Sequence, residues 1–298
     1  MGQGLNTKIR QLVADEFGLP YEDVIVMPTS TEKNNNTSPT AASAGTDLNG
    51  AAAVNACDKI RYRLSRFAAE LFATDDSPTQ PDQIVFAEGR VYDAQNSSNS
   101  LTFGELAKKA RFERIDIGAR GFYKTPLIDF DREAGRGTPF LYYTQGAAVA
   151  EVLIDRFTGE LSVPRVDLLI DIGKSINPGV DMGQITGGFI QGMGWATAEC
   201  LIYDEAGRLL SHSPTTYKIP AITDVPFEFN CEMFPNEDNI HNIRRSKAVG
   251  EPPLLLGVCC WSAAKHALSF VTPDNDLRLP ATGEEVLRCL SRRALRAR

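Results

Sequence analysis

The feature that most constrains how this chain folds is the run Ser246-Lys247-Ala248-Val249-Gly250-Glu251-Pro252-Pro253-Leu254-Leu255-Leu256-Gly257. Two consecutive prolines lack backbone donors and carry a φ pre-set for a first helical turn, so a helix must begin there. The apolar residues behind them predict a helix from Leu254 to Phe270, with Glu251 fixed at its mouth. The helix dipole and free N–H groups favour the carboxylate, whereas burial against Val249 and the leucines favours the acid. Such a group is suited to proton transfer, and equally suited to simple capping, since acidic residues are common at helix starts.

The rest of the chain predicts an α+β fold of mixed helices and antiparallel hairpins. Helical spacing covers Leu5 to Phe17, closed by Gly18, then Asp47 to Phe72 and Thr102 to Phe112. Strands are expected at Asp23–Met27, Gln83–Ala87, Arg114–Tyr123 and Pro226–Phe234. Hairpins are expected at Ala148–Ile172, turning on Arg156 to Glu160, and at Cys200–Ser211, turning on Asp204 to Gly207. Asp129–Thr138 reads as a charged loop, and Gly183–Glu199 as a helix approached closely by its neighbours. The expected organisation is a body of two packed lobes over 1–277 and a tail over 278–298, its basic end solvated or frayed.

With 298 residues and 43% hydrophobic content the chain buries a large core. A formal charge of −7 argues against nucleic-acid or anionic-membrane surfaces, and no apolar run reaches the roughly 20 residues that span a bilayer. The beginning Met-Gly-Gln-Gly lacks the apolar stretch of a signal peptide, so a cytoplasmic location is expected. Six dispersed cysteines and three histidines give no Cys-x-x-Cys or His cluster, so no iron–sulfur or zinc site is expected within the chain. The cysteines read as small buried hydrophobes. Trp195, Phe189, Phe122 and Tyr123 read as core, and Lys247 as a solvated lysine or a partner for an anion.

Three segments rich in glycine and neutral amides can each present N–H groups to a large anionic ligand. They are Gly2-Gln3-Gly4, Ser38 to Asp47, and Gly183-Gln184 with Gly187, Gly188, Gln191, Gly192 and Gly194. None matches a phosphate-loop or dinucleotide pattern. Each also has a plain structural reading, as a flexible terminus, an ordinary cap, or close helix packing.

Taken in order, these residues resemble the C-terminal part of the molybdenum-cofactor domain of the xanthine dehydrogenase and xanthine oxidase family. The resemblance runs through Met1–Lys8, Asn36–Gly50, Gly121–Pro126, Thr158–Glu160, Asp181–Gly192, Ser213–Pro220 and Ser246–Leu256, and so covers the chain to about Phe270. It implies that Glu251 is the active-site base, that Gln3 and Gln184 hydrogen-bond molybdopterin together with Gly4, and that Ala42, Ser43 and Gly45 meet it through their backbone. It implies a molybdenum ion held through the pterin dithiolene rather than by side chains, with Glu251 deprotonating a Mo–OH oxygen that attacks a purine carbon while hydride passes to sulfur. It further implies 2Fe–2S and FAD groups on partner chains or domains. Two glycine-rich segments that the family carries upstream to orient the purine do not occur in the sequence. Met1 falls on the methionine inside the family's Glu-Met-Gly-Gln-Gly motif, so the expectation is a portion of the domain that works with an upstream half. Oxidation of aldehydes or other N-heterocycles, and a pterin-binding module without turnover of its own, are the alternatives.

Overall fold

The computed structural model describes residues 2–28, 30–33, 43–74 and 77–296, which form two compact units, Met1–Leu141 and Tyr142–Arg298. The α+β expectation holds in both.

In the first unit, α1 (Leu5–Phe17) rests on a π turn at Thr46–Gly50 and on α2 (Ala51–Phe72), which continues from it. Gly18 ends α1 in the left-handed region at φ 58, where a side chain would strike the Ala87 backbone. Three short antiparallel strands follow, β1 (Ile84–Ala87), β2 (Arg90–Asp93) and β3 (Ser100–Thr102), and then α3 (Phe103–Phe112). Thr102 and Glu105 close a reciprocal capping box at the start of α3. Apolar faces of α1, α2 and α3 meet β1 and β2 around Phe17, Leu64, Phe67, Val91 and Leu106.

Two expected strands are absent here. A 3-10 turn at Tyr21–Asp23 runs into Val24–Met27, which has no regular secondary structure and in which Ile25 is 83% exposed. Arg114–Tyr123 forms no strand: Arg114 stands in the left-handed region at φ 61, and the residues after it have no regular secondary structure. It lies along α2 instead, where Arg63 holds Asp116 at 2.9 Å, Lys59 donates to the Arg120 carbonyl at 2.9 Å, and Gly121 abuts the Ala52 carbonyl. The expected loop at Asp129–Thr138 is an exposed hairpin of β4 (Asp129–Asp131) and β5 (Arg136–Thr138).

In the second unit, β6 (Gln145–Ile154) and β7 (Leu161–Asp171) form the expected hairpin, with Gly159 at φ 76 in its turn. The chain then crosses through α4 (Pro178–Thr197) to β8 (Glu228–Met233), which pairs parallel to β7, Val166 opposite Phe229. The second expected hairpin reduces to a single bridge between Tyr203 and Leu209. The helix expected over Leu254–Phe270 is two, α5 (Pro252–Leu256) and α6 (Val258–Ser269), joined at Gly257. Val166, Leu168 and Ile170 of β7 pack on Ile185, Phe189 and Met193 of α4, with Val249 and Cys260 completing the core.

The residues after 277 form α7 (Gly283–Arg296), whose Val286 and Cys289 share a core with Ala264, Leu268 and Leu277. Arg288 is bound to Asp276 at 3.1 Å and to Glu285, so it is not a solvated end. All six cysteines are free. Cys57, Cys260 and Cys289 are buried, and the other three are only partly so.

Candidate functional site

The residues singled out from sequence in the first unit sit at helix starts. Gly4 is the N-cap of α1 in the left-handed region at φ 76, and Gly2 before it, at φ 86, faces open space. The amides that open α1 have no partners within the helix, and no side chain caps them. Gln3 is partly buried between these two glycines. Ser43 holds φ 54, unusual for a residue with a side chain, and Gly45 is buried at the entrance to the π turn. Ala42 lies outside the described residues. The first unit therefore presents two helix starts, those of α1 and of the π turn, on elements that pack together.

In the second unit the glycines of α4 divide into two sets. Gly192 faces the α5 backbone so closely that a Cβ would come within 2.0 Å of the Leu254 carbonyl, and Gly257 returns the contact. Gly188 meets the Gly250 carbonyl and the Pro253 ring, and Gly194 meets Pro220. Gly183 and Gly187 face open space. The close-packing reading is right for the first set, although the neighbour is mainly a helix pair rather than the sheet. Gln184 stands beside the open set, one turn before Gly188, and Gly188 touches the residue preceding Glu251. Gln184 and Glu251 thus flank one helix crossing.

Glu251 is the N-cap of α5, yet its side chain makes no capping hydrogen bond and it is exposed. The segment leading to it is fixed at almost every atom. The Lys247 amide donates to the Ile172 carbonyl at 2.7 Å, and the Lys174 amide to the Arg245 carbonyl at 3.0 Å, extending the end of β7. Asn239 and Asn242 both donate to the Ser246 carbonyl, at 2.7 and 2.9 Å. The Ala248 amide donates to the Tyr142 hydroxyl at 2.9 Å, and its carbonyl accepts from Thr144. Arg244 and Arg245 both hold positive φ, 48 and 62, a conformation that costs a non-glycine residue about 1–3 kcal/mol and persists only where surroundings impose it.

Lys247 is neither solvated nor open to a ligand. Its ammonium sits 2.6 Å from Asp171, with both side chains about nine-tenths buried. Burial pushes the Asp171 carboxyl up. The Lys247 ammonium, the Gly173 amide and the Asn236 amide outweigh it and hold the group below the usual carboxylate range. Asp171 was not anticipated, although a carboxylate interrupting Leu168-Leu169-Ile170-Asp171-Ile172 was its signal. Tyr142, Asn239 and Asn242 gave none.

The aromatic expectations split as well. Phe189 is fully buried, but Trp195 is 53% exposed on α4 and Phe122 is 60% exposed, so neither is core. Tyr123 is partly buried, and its hydroxyl has no hydrogen-bond partner. Among the described residues no group of three His, Cys, Asp or Glu is placed to hold a metal, and no helix is long and apolar enough to cross a membrane.

The chain belongs to the molybdopterin cofactor-binding domain family, whose model matches residues 1–226. It is 39% identical over 295 residues to a xanthine dehydrogenase of Dictyostelium discoideum, and 40% over 299 residues to one of Oryza sativa subsp. japonica. Each comparison covers 96% of this chain and 20% of the relative, so the chain spans about a fifth of the length of the curated relatives it matches. Its fold superposes on a Cu,Mo-CO dehydrogenase with TM-score 0.81 at 24% identity, over 99% of this chain and 35% of that one. It also superposes on quinoline 2-oxidoreductase of Pseudomonas putida 86 with TM-score 0.79 at 25% identity, over 97% of this chain and 35% of that one.

Proposed function

We propose that this chain is the molybdopterin-binding portion of a molybdenum hydroxylase of the xanthine dehydrogenase type, acting in the oxidative hydroxylation of hypoxanthine and xanthine to urate with Glu251 as general base. The observation that carries the reading is the state of Glu251: an exposed carboxylate, followed by two prolines that offer it no amide to cap, on a lead-in whose backbone is hydrogen-bonded at every residue from Arg245 to Ala248.

The bound molybdenum–pterin group supplies Lewis acidity and accepts two electrons as the heterocycle carbon is hydroxylated. The residues present fit such a group in kind. The start of α1 behind Gly2–Gly4 offers amides that no side chain caps, Ser43–Gly45 leads into the π turn, and the open Gly183 and Gly187 leave room beside the Gln184 amide, which both donates and accepts. In this reading Gln3, Gly4, Ala42, Ser43, Gly45 and Gln184 bind and orient the pterin, and no side chain ligates the metal. Glu251 takes up a proton at its free carboxylate. Electrons leave through 2Fe–2S and FAD groups on other chains or domains, and the upstream half of the domain orients the purine. The choice of purine rests on the similarity to xanthine dehydrogenases, since the fold is shared with a Cu,Mo-CO dehydrogenase, a quinoline 2-oxidoreductase and an aldehyde oxidoreductase.

The test is the chain co-expressed with the remaining polypeptide of such an enzyme, with and without Glu251→Gln. Loss of a general base lowers turnover of xanthine by about 10²–10⁴-fold, with molybdenum and pterin content unchanged. A variant as active as the parent refutes the base. An inactive parent carrying full cofactor favours a binding module without turnover.

A further inference from the structure

The structure singles out a pair of charges that the proposed chemistry does not use. Lys247 and Asp171 lie 76 residues apart in sequence, meet at 2.6 Å, and are both about nine-tenths buried. A buried ion pair recovers little of its desolvation cost, so its presence is weak grounds for stability and must be explained by what it holds. What it holds is the lead-in to Glu251. The pair ties the segment at residue 247 to the end of β7, just behind two consecutive arginines in the left-handed region. Three residues on, the Gly250 carbonyl is seated against Gly188 of α4, and the next side chain is Glu251, left unbound. A strained, over-determined backbone that ends in a free carboxylate is the arrangement expected where placement of that carboxylate matters.

We propose that Asp171 and Lys247 are positioning residues for Glu251. Their ion pair, with the Tyr142 hydroxyl as a second anchor at Ala248, fixes where the Glu251 carboxylate stands while touching none of the reacting atoms. The inference rests on the reading of Glu251 as base.

The test uses the same co-expressed enzyme carrying Lys247→Met or Asp171→Asn. Displacement of a reacting group by about 1 Å costs on the order of 10²-fold, so kcat per bound molybdenum is expected to fall on that scale. KM should stay within about two-fold and molybdenum content near that of the parent, because the loss falls on turnover rather than on binding. Amide hydrogen exchange across residues 246–251 should speed up. Faster exchange with unchanged kcat per molybdenum overturns the proposal, as does a loss of molybdenum content alone, which a purely structural pair would produce. Should neither variant fold, Tyr142→Phe removes one hydroxyl from the same lead-in, and unchanged kcat with faster exchange at Ala248 is equally fatal. Glu251→Gln separates the two readings: an inactive Glu251→Gln enzyme beside fully active Lys247 and Asp171 variants sinks the positioning role alone, whereas an active one sinks both.

Discussion

Two alanine substitutions little more than one turn apart on α4 should move stability in opposite directions. At Gly192 a Cβ would stand 2.0 Å from the Leu254 carbonyl, so α5 would have to withdraw by about 1.4 Å to reach an ordinary contact of 3.4 Å. It cannot do so freely, because Pro253 rests on Gly188 and Gly257 rests on Gly192. Overpacking of this kind costs about 1–3 kcal/mol, and a backbone-on-backbone clash belongs at the upper end. Alanine returns about 1 kcal/mol through helix propensity, which leaves Gly192→Ala destabilised by about 2 kcal/mol. Gly187 faces open space, so Gly187→Ala keeps the whole gain of about 1 kcal/mol. At about 2–4 °C per kcal/mol, calorimetry should find Tm lowered by about 4–8 °C in the first variant and raised by about 2–4 °C in the second. Equal melting of Gly192→Ala and the parent, or a lower Tm for Gly187→Ala, would refute the division of α4 into a packed and an open set of glycines.

The anchorage of α7 should be sensitive to acid. Arg288, together with Arg278, holds the Glu285 carboxyl far below the usual carboxylate range, against the opposing effect of burial. A depressed carboxyl contributes stability that is full above its ordinary value of about 4.3 and is lost as pH falls below it, so unfolding free energy should drop through that window and Glu285→Gln should flatten the drop. In the first unit, Thr102→Ala removes the capping box of α3 and should cost about 1 kcal/mol in urea unfolding, whereas Thr102→Ser should cost much less because it keeps the hydroxyl that accepts from Glu105.

Local pattern made the helices and the main hairpin legible, because apolar spacing and the closing glycines Gly18 and Gly159 act within a few residues. The errors share one cause. Arg114–Tyr123 has the alternation of a strand but forms none, because its partners are Lys59, Arg63 and Asn55 on α2, and a sequence pattern does not name what satisfies a segment's polar groups. Asp129–Thr138 failed in the opposite sense: an exposed hairpin has no buried face, so it leaves no alternation to read. The parallel pairing of β7 with β8 depends on a crossover through α4, and the break at Gly257 depends on Gly192 some sixty positions earlier. Neither is a local property.

The same distinction applies to the candidate site. Glu251 and the glycine-rich segments were visible because each is a local motif, but a local motif could not say whether Glu251 caps a helix or serves a ligand. The structure bears on that choice through the lead-in. Pro252 and Pro253 leave Glu251 no free amide to cap, and the backbone before it is held by groups from Tyr142, Ile172, Asn239 and Asn242, with Lys247 consumed by Asp171. Consuming that lysine has a consequence for binding. A free ammonium four residues from Glu251 would attract anions on its own account. With the charge neutralised inside the fold, the groups named for the pterin are backbone amides and the side-chain amides of Gln3 and Gln184. Recognition by such neutral donors would depend on their geometry more than on attraction at a distance, and that is a reason for the regular helices on which Gly4 and Gln184 stand.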